Sequence, residues 1–482
     1  MDIDLILWDC SAYIVCGWHH GNRGLVLFKK DTTLDMTSGS PLKLILTFAI
    51  PLIIGNIFQQ LYTIVDTMVV GKAVGVTALA ALGSIDTINF VCMGIALGMT
   101  QGFGVLIAQK FGEKEEESLN RIIKNSLTLS FVLAIALLIV IQIAVNPFLA
   151  LLRVPTEIRP LSLIYLRILI SGLPVVIMYN MEAVILRSLG DSRSPLVAMV
   201  IATLSNIVLD ILFVIVFGLG IPGAAIATII AQIMTAVYCA IRIRGIDFIK
   251  IDLKGDFLDK EWTMPMLKLG LPLAAQNMII AFGNMVLQSI IDGFGVLVIA
   301  GSTATNKLYG ILDSAALGYG YAMTTYVGQN YGAKKTDRIR KGVLTANLIS
   351  VVSCMLIASI TIGFGKSMLS LFISGTEEEV STTMYYAYNF LRDMSIFLPT
   401  LYLIHVLRSV LQGLGHTVIT MSSGFVELVI RIIAALSLPV IFGPRVLFFA
   451  HILAWVGSDI VLIVGYFYYI SRISKDSLKC RC

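Results

Sequence analysis

The chain is a succession of long apolar stretches separated by short polar and charged segments, from about residue 44 to residue 470. Stretches such as 127–145, 196–217 and 446–470 approach or exceed the roughly 20 residues that an α-helix needs to cross about 30 Å of hydrocarbon. Strands of a membrane barrel are shorter and alternate apolar with polar residues. The pattern therefore predicts an all-α integral membrane protein.

Twelve transmembrane helices are predicted from this pattern. The predicted spans are residues 44–70, 77–107, 122–145, 162–186, 194–217, 221–241, 266–291, 295–327, 342–364, 383–411, 417–441 and 446–470. An even number of spans places both chain ends on one side of the membrane. Most of the 35 lysines and arginines fall in the two tails and in the loops on that same side. Because basic loops stay in the cytoplasm, we expect both termini to be cytoplasmic.

Composition supports the membrane prediction and narrows the chemistry. Hydrophobic residues make up 57% of the chain and charged residues 13%, whereas a soluble domain carries roughly 25% charged residues. The seven cysteines are scattered, without the spacing of a zinc site or a disulfide framework. The net charge of +5 does not indicate a nucleic-acid partner, because the basic residues fall between spans.

The first 40 residues form a leader that is neither a clean signal peptide nor a good span. Asp9, His19 and Arg23 interrupt it, and Met36 precedes a short polar lead into the first span. We interpret Met36 as the translation start. The predicted organisation is a leader at 1–40, an N-terminal six-helix lobe at 41–241, a cytoplasmic linker at 242–265, a C-terminal six-helix lobe at 266–471 and a cytoplasmic tail at 472–482.

A long internal repeat relates the two predicted lobes, with a nearly constant offset. The matches are residues 51–56 with 272–277, 107–114 with 327–334, 165–167 with 390–392, Pro174 with Pro399 and Gly190 with Gly415. Because each copy has six spans, the copies are parallel repeats about an axis along the membrane normal. Two lobes around a central cleft suit alternating access; an ancient duplication without mechanical meaning is the alternative.

Two prolines occupy matching positions inside the first and seventh spans, Pro51 and Pro272. A proline inside a helix leaves a carbonyl without its donor and bends the helix. We predict kinks at these positions that assist bending between two conformations. A static kink is the alternative.

Carboxylates inside the predicted spans are candidate ion-binding residues, because a charge there is costly and usually faces a cavity or a partner. Asp66 lies in the first span, and Asp210 lies in the fifth, four residues after Asn206 on the same helix face. The repeat places Leu287 at the position of Asp66 and Ala435 at that of Asp210. An architectural role would recur in both copies, so this asymmetry predicts an acid pair in the N-terminal lobe; a buried hydrogen bond is the alternative.

The C-terminal lobe has charged residues of its own within the spans. Lys307, Arg392 and Arg431 are candidates for substrate contact or gating, and Glu427 is spaced to pair with Arg431 on one helix face. Several of these charges lie near span ends, where long side chains reach the interface at low cost. A structural role is therefore the alternative for each.

Nucleotide-binding and catalytic motifs fail on inspection. Gly363-Phe-Gly-Lys-Ser367 lacks the first glycine of a phosphate-binding loop. The five histidines are dispersed, and no H-E-x-x-H or G-x-S-x-G occurs. We therefore expect a transporter driven by an ion gradient rather than an enzyme.

Several motifs together resemble the MATE family (multidrug and toxic compound extrusion). They are residues 51–56, Leu61-Tyr-Thr-Ile-Val-Asp-Thr-Met-Val-Val-Gly71, Leu186-Arg-Ser-Leu-Gly-Asp191 and Gly223-Ala-Ala-Ile-Ala-Thr228, in a resemblance that covers about residues 41–470. It implies twelve transmembrane helices in two parallel six-helix repeats, the MATE-type fold of the MOP superfamily. Within the family the chain resembles the DinF-like branch, since the seventh span lacks the acid that the NorM-like branch expects.

The resemblance implies a cation site in the N-terminal lobe. It carries an essential acid onto Asp66 and an Asn/Asp pair onto Asn206 and Asp210, with further polar partners at Tyr165, Asn180 and Thr228. Na⁺ would bind at Asp66, Asn206, Asp210 and Thr228, or H⁺ would take its place. No other cofactor is implied.

The implied function is export of organic compounds, often cationic and amphipathic, by antiport with Na⁺ or H⁺. The implied setting is a monomer in the bacterial plasma membrane, whose partners are small amphipathic molecules and the lipid bilayer, not nucleic acid or nucleotide. One alternative is a flippase for a lipid-linked precursor within the same superfamily, although such flippases commonly have fourteen spans and a strongly basic cavity. A channel or a membrane-bound enzyme is the alternative from another class.

Overall fold

The computed structural model describes residues 32–74, 76–151, 158–250 and 258–479, almost entirely as helices. The first half comprises α1 (Pro41–Ala73), α2 (Val76–Glu113), α3 (Glu116–Leu151), α4 (Arg159–Ser171), α5 (Leu173–Ser188), α6 (Arg193–Asp210) and α7 (Gly220–Arg244). The second half comprises α8 (Lys260–Asp292), α9 (Val296–Gly332), α10 (Thr336–Leu369), α11 (Glu377–Ile396), α12 (Leu398–Gly413), α13 (Thr417–Phe442) and α14 (Phe449–Lys479). A π-helical segment, Ile211–Val216, extends α6, and a 3-10 turn, Pro444–Val446, precedes α14.

These helices have the length and composition of membrane spans. Within the described residues, nine are long and apolar enough to cross a bilayer, and the bent pairs α4–α5 and α11–α12 bring the number to eleven. The twelfth is α9, whose 37 residues are ample in length but include Lys307 and Asp313. Large apolar side chains such as Ile143 and Val440 point outward, 75% and 84% exposed, as a lipid-facing surface requires. The predicted fold class of twelve transmembrane helices in two parallel six-helix repeats is confirmed.

The same backbone irregularities occur in both halves. The α4–α5 span bends by 45° beside Pro174, and the α11–α12 span bends by 51° beside Pro399. Gly190 and Gly415 both have a φ of +86°, a left-handed conformation that glycine adopts without steric cost. By contrast, Pro51 and Pro272 lie inside helices that continue through them. Their predicted part in conformational change stays a prediction.

The two halves pack about a pseudo-twofold axis, because contacts between them come in reciprocal pairs. The side-chain amide of Asn56 in α1 donates to the carbonyl oxygen of Ser314 in α9, at 3.1 Å. The repeat-equivalent Asn277 in α8 donates to the carbonyl oxygen of Gly94 in α2, also at 3.1 Å. The first and second copies therefore exchange the same hydrogen bond in both directions.

The two lobes contact each other at one end of the molecule and close it. We call it the basic end: it is the end where α2 and α9 terminate, next to the basic side chains Lys114, Lys335 and Arg338. Small residues allow backbones from the two lobes to touch there, since a Cβ added to Gly102 would lie 2.4 Å from the Cα of Gly270. Such contact leaves no passage between α2 and α8 in this conformation.

Residues 32–39, which we call the strap, lie across the basic end and contact both lobes. The backbone N–H of Leu34 donates to the carbonyl oxygen of Leu189 in the N-terminal lobe, at 3.3 Å. The N–H of Met36 donates to Oε1 of Gln329 in the C-terminal lobe, at 2.8 Å, and the Met36 side chain is fully buried. Residues 1–31 lie outside the described residues, as do 251–257 of the predicted linker and 480–482 of the predicted tail. Translation from Met36 stays a prediction.

Candidate functional site

Five polar side chains from three helices meet in the N-terminal lobe. The N-lobe cluster consists of Tyr62 and Asp66 on α1, Asn206 and Asp210 on α6, and Thr228 on α7. The Tyr62 hydroxyl donates to Oγ1 of Thr228 at 3.2 Å, and the Asn206 amide reaches the same oxygen at 3.5 Å. The carboxyl groups of Asp66 and Asp210 lie within hydrogen-bonding contact, which one shared proton would satisfy. Four of the six residues expected at the cation site are thus brought together.

The N-lobe cluster is sealed from water on the α6 side. Asn206 and Asp210 are 0% exposed. Oδ1 of Asn206 and both carboxyl oxygens of Asp210 receive no hydrogen bond from N–H or O–H groups of the described chain. Ionised carboxylates buried in this way are costly, and two adjacent ones repel each other, so the pair requires a proton or a cation. Carboxylate, amide and hydroxyl oxygens are the ligands that hard cations take.

Helical spacing explains how the sequence builds the cluster. Tyr62 and Asp66 are four residues apart on α1, and Asn206 and Asp210 are four apart on α6, so each pair shares a helix face. The π-helical segment begins directly after Asp210, at Ile211. π-Helical turns are rare and recur at functional sites, where the extra residue per turn redirects a side chain.

The other two expected members of the cation site have different surroundings. Tyr165 on α4 is buried in the apolar core of the same lobe, in one cluster with Val70 and Val214. Asn180 on α5 uses its side-chain amide within its own helix, donating to the carbonyl oxygen of Val176 at 2.7 Å. A role for these two residues in ion binding stays a prediction.

A buried ionic network occupies the C-terminal lobe. Glu427 on α13 accepts hydrogen bonds from Arg431, four residues later, and from Nη2 of Arg408 on α12, at 3.0 Å. Arg431 also donates to Oδ1 of Asn284 on α8, at 2.8 Å. The pair that the spacing of Glu427 and Arg431 suggests does form, and it is extended by an arginine and an asparagine from two other helices.

The remaining charged candidates of this lobe are dispersed. Arg392 pairs with its neighbour Asp393 at 2.7 Å, and Lys307 is exposed on α9. His405 lies 3.1 Å from Oδ1 of Asp313. Only Arg431, of the three predicted substrate or gating residues, is among the described residues that line the cavity between the lobes.

That cavity has a volume of about 490 Å³, within the roughly 300–1,000 Å³ typical of small-molecule sites. Its walls come mainly from α8, α9 and α12 to α14, with α2 and α5 completing them from the other lobe. The lining includes aromatic side chains and amides among aliphatic and charged residues: Phe90, Tyr309, Tyr321, Trp455, Gln101, Gln276, Asn277, Asn284, Gln288, Asn306 and Gln412. The described lining includes no member of the N-lobe cluster, so the cavity and the cluster are separate.

Sequence reasoning missed three residues of these sites. Tyr62 has a readable signal, because it precedes Asp66 by one helical turn. Arg187 and Arg408 lie near span ends, where arginines are normally assigned to topology, and both instead line the cavity. The sequence carries no signal for the direction in which these two side chains point.

Comparison with known proteins is consistent with this architecture. A family model described as MatE matches residues 51–212 and 272–436, one match in each half. The probable multidrug resistance protein YoeA of Bacillus subtilis (strain 168) is 29% identical over 352 residues, 71% of this chain and 75% of that protein. The probable multidrug resistance protein YpnP of the same organism is 28% identical over 381 residues, 79% of this chain and 84% of that protein.

A solved structure shares the fold over nearly the whole chain. It is described as the outward-facing conformation of a multidrug resistance MATE family transporter of the MOP superfamily. Its TM-score is 0.85, at 24% identity, over 93% of this chain and 100% of that chain.

Proposed function

Because the chain belongs to the MatE family of membrane transporters, we propose that it exports amphipathic organic compounds from bacteria by antiport with Na⁺ or H⁺. The observation that carries the coupling proposal is the N-lobe cluster. There Asp210 is fully buried beside Asp66, with no N–H or O–H donor of the described chain on its oxygens. A proton or Na⁺ supplies the missing positive charge.

The coupling ion acts at a distance from the substrate. The cluster and the cavity share no described lining residue, so the ion and the substrate influence each other through the arrangement of the lobes. An ion shifts that arrangement only by binding one conformation more tightly than the other. Neutralising Asp66 and Asp210 removes their mutual repulsion, which lets α1 and α6 pack more closely and favours one conformation.

The direction of transport follows from the orientation of the basic end. We place this end in the cytoplasm, because basic segments remain there. In the conformation described, the lobes touch at that end through Gly102 and Gly270. The cavity is then closed to the cytoplasm. Separation of the lobes at the basic end, which we call opening of the seam, gives the compound access from inside the cell.

The test is transport in proteoliposomes that contain the purified chain, with a Na⁺ gradient and a pH gradient imposed separately. Two dyes with one ring system and opposite charge, rhodamine 123 and fluorescein, serve as substrates. We expect one gradient to drive dye movement in the wild type, and Asp66→Asn and Asp210→Asn each to lower the driven rate tenfold or more. The control is Asp337→Asn, an exposed carboxylate on α10, which should keep the wild-type rate. Wild-type gradient dependence in Asp210→Asn contradicts the proposed ion site.

A further inference from the structure

Arg187 is a cation in the cavity wall without a carboxylate partner among the described residues. It lies at the end of α5 nearest the basic end. No described carboxylate oxygen comes within ion-pairing distance of its guanidinium. The guanidinium lies 4.7 Å from the ring centroid of Tyr321. This cation–π contact holds the group in place while leaving its N–H donors available.

The carboxylates of the cavity, in contrast, already have hydrogen-bond partners. The described lining contains two, Asp313 and Glu427. Glu427 is bound by Arg408 and Arg431, and Asp313 is bound to His405 at 3.1 Å. An organic cation entering the cavity therefore meets no carboxylate among these residues that lacks a hydrogen-bond partner.

The two arginines of the C-terminal network share one carboxylate, that of Glu427. Asp459 on α14 is buried and interacts electrostatically with Arg408. Within the described lining, the three arginines Arg187, Arg408 and Arg431 face the two carboxylates of Asp313 and Glu427, so one positive charge is in excess. Arg408 and Arg431 both pair with Glu427, and Arg187 is the arginine of the described lining that has no carboxylate partner.

From this distribution of charge we propose that the cavity binds aromatic organic anions, and that Arg187 holds their carboxylate or phosphate group. The proposal rests on the proposed export function and assigns the charge of its substrates. The guanidinium offers a planar fork of donors that matches such groups with two parallel hydrogen bonds. The ring of Tyr321 beside the guanidinium supplies aromatic surface next to the anionic group. The stacked rings of Tyr309 and Trp455, with centroids 6.1 Å apart, line the same cavity further along α9.

The position of Arg187 also connects the substrate to the seam between the lobes. Its own carbonyl oxygen accepts a hydrogen bond from Oγ1 of Thr325 in α9, at 3.3 Å. The carbonyl oxygen of the next residue, Ser188, accepts one from the Gln329 amide, at 3.0 Å. When the lobes separate at the basic end these bonds break, and the guanidinium moves relative to α9. An anion on Arg187 therefore binds the two conformations with different affinity, as export requires.

The test is equilibrium binding to the full chain in detergent, measured by fluorescence polarisation without any ion gradient. Fluorescein is the anionic probe and rhodamine 123 the cationic one. We expect the wild type to bind fluorescein at least tenfold more tightly. Arg187→Gln should lower fluorescein affinity about tenfold or more, the effect of one lost charge-assisted hydrogen bond, and leave rhodamine 123 affinity unchanged. Arg187→Lys, which keeps the charge, should retain part of the affinity.

The matched control is Arg472→Gln. Arg472 lies on α14, exposed, with its guanidinium 6.0 Å from the ring of Tyr468, so it repeats the arginine–tyrosine contact away from the cavity. This variant should bind fluorescein as the wild type does. A wild-type preference for rhodamine 123, or unchanged fluorescein affinity in Arg187→Gln, overturns the proposal. If Arg187→Gln folds poorly, two other measurements test the proposal. They are the preference of the wild type for fluorescein over rhodamine 123 and the affinity of Arg187→Lys for fluorescein.

Three further outcomes distinguish the anion site from the export proposal and from a lipid-binding site. If no gradient drives transport but fluorescein binding depends on Arg187, the export proposal fails and the anion site stands. If transport is driven but rhodamine 123 binds more tightly, the export proposal stands and the anion site fails. Displacement of fluorescein by dioleoyl phosphatidate and not by 2-naphthoate would assign the site to a lipid phosphate and overturn the soluble aromatic anion.

Discussion

Gly112 of α2 lies so close to Gln329 of α9 that a Cβ added to the glycine would be 2.0 Å from the Gln329 carbonyl oxygen. The repeat makes the same contact in the other direction, where a Cβ on Gly332 would be 1.9 Å from the carbonyl oxygen of Gln109. In both cases the obstacle is backbone, which no side-chain rotation relieves. Closure of the basic end therefore depends on glycine at two equivalent positions.

Gly112→Ala should destabilise the closed conformation. The added methyl group forces α2 and α9 apart, and overpacking of this kind costs about 1–3 kcal/mol. The measurement is the thermal unfolding midpoint in detergent, together with the rate at which cysteines on opposite sides of the seam form a crosslink. We expect a lower midpoint and slower crosslinking.

The control for this substitution is Gly363→Ala in α10, where an added Cβ meets no atom within 4 Å. An exposed glycine in a helix interior costs about 0.5–1 kcal/mol relative to alanine, so this variant should be slightly more stable than the wild type. The two substitutions should thus act in opposite directions. Equal stabilisation of both proteins would show that the Gly112 contact is not tight.

The fold could be predicted from the sequence because its main features are one-dimensional. Span length, the repeat offset and the prolines that break α4–α5 and α11–α12 are all visible in the chain. The sizes of the bends, 45° beside Pro174 and 51° beside Pro399, are set by packing between helices. The predicted third span, 122–145, is shorter than α3, which runs from Glu116 to Leu151. A charged turn precedes the apolar stretch, and the helix continues through Pro147 at its other end.

The candidate site could be predicted only where helical spacing decides it. Asn206 and Asp210 share a face whatever the tertiary structure, and the repeat marks Asp210 as unmatched. The cavity residues Arg187 and Arg408 depend on how α5 and α12 rotate after their bends. That rotation is fixed by contacts with other helices, such as those of Arg408 with Glu427 on α13 and with Ser458 on α14. A single sequence contains no periodic signal for it.

Tyr62→Phe should weaken ion coupling without abolishing it. The substitution removes the hydroxyl that donates to Oγ1 of Thr228 at 3.2 Å and leaves the ring in place. A neutral hydrogen bond contributes about 0.5–1.5 kcal/mol, so the ion concentration for half-maximal transport should rise roughly 2- to 10-fold. The measurement is dye transport in proteoliposomes as a function of Na⁺ concentration or pH.

Tyr388→Phe provides the comparison, since it removes a phenolic hydrogen bond to the carbonyl oxygen of Ile362, at 3.0 Å, in the other lobe. Its half-maximal ion concentration should match that of the wild type. If Tyr62→Phe also matches the wild type, the hydroxyl is not part of the ion site. If both variants shift equally, the effect comes from general stability.

Glu427→Gln should destabilise the C-terminal lobe strongly. It leaves Arg408 and Arg431, both buried, without the carboxylate between them, and breaking a buried ion pair from one side costs about 3–5 kcal/mol. Adding Arg431→Gln to this variant removes one charge of each sign and should recover part of the loss. Thermal unfolding in detergent measures both proteins. The control Glu113→Gln removes an exposed partner of Lys110 and should change stability by no more than about 1 kcal/mol.

Arg338→Ala should release the strap from the basic end. Its guanidinium donates to the carbonyl oxygens of Gly39, at 2.9 Å, and Met36, at 3.1 Å. Loss of these charge-assisted bonds, each contributing about 1.5–3 kcal/mol, should speed hydrogen exchange of strap amides tenfold or more. Mass spectrometry of the peptide covering residues 36–43, which is present with either translation start, measures this, and the intact mass tests whether translation starts at Met36. The control is Arg340→Ala, at an exposed position on the same helix. It should leave the hydrogen exchange of the strap amides unchanged. Equal exchange in Arg338→Ala and the wild type would mean that Gln329 and Asn330 hold the strap without Arg338.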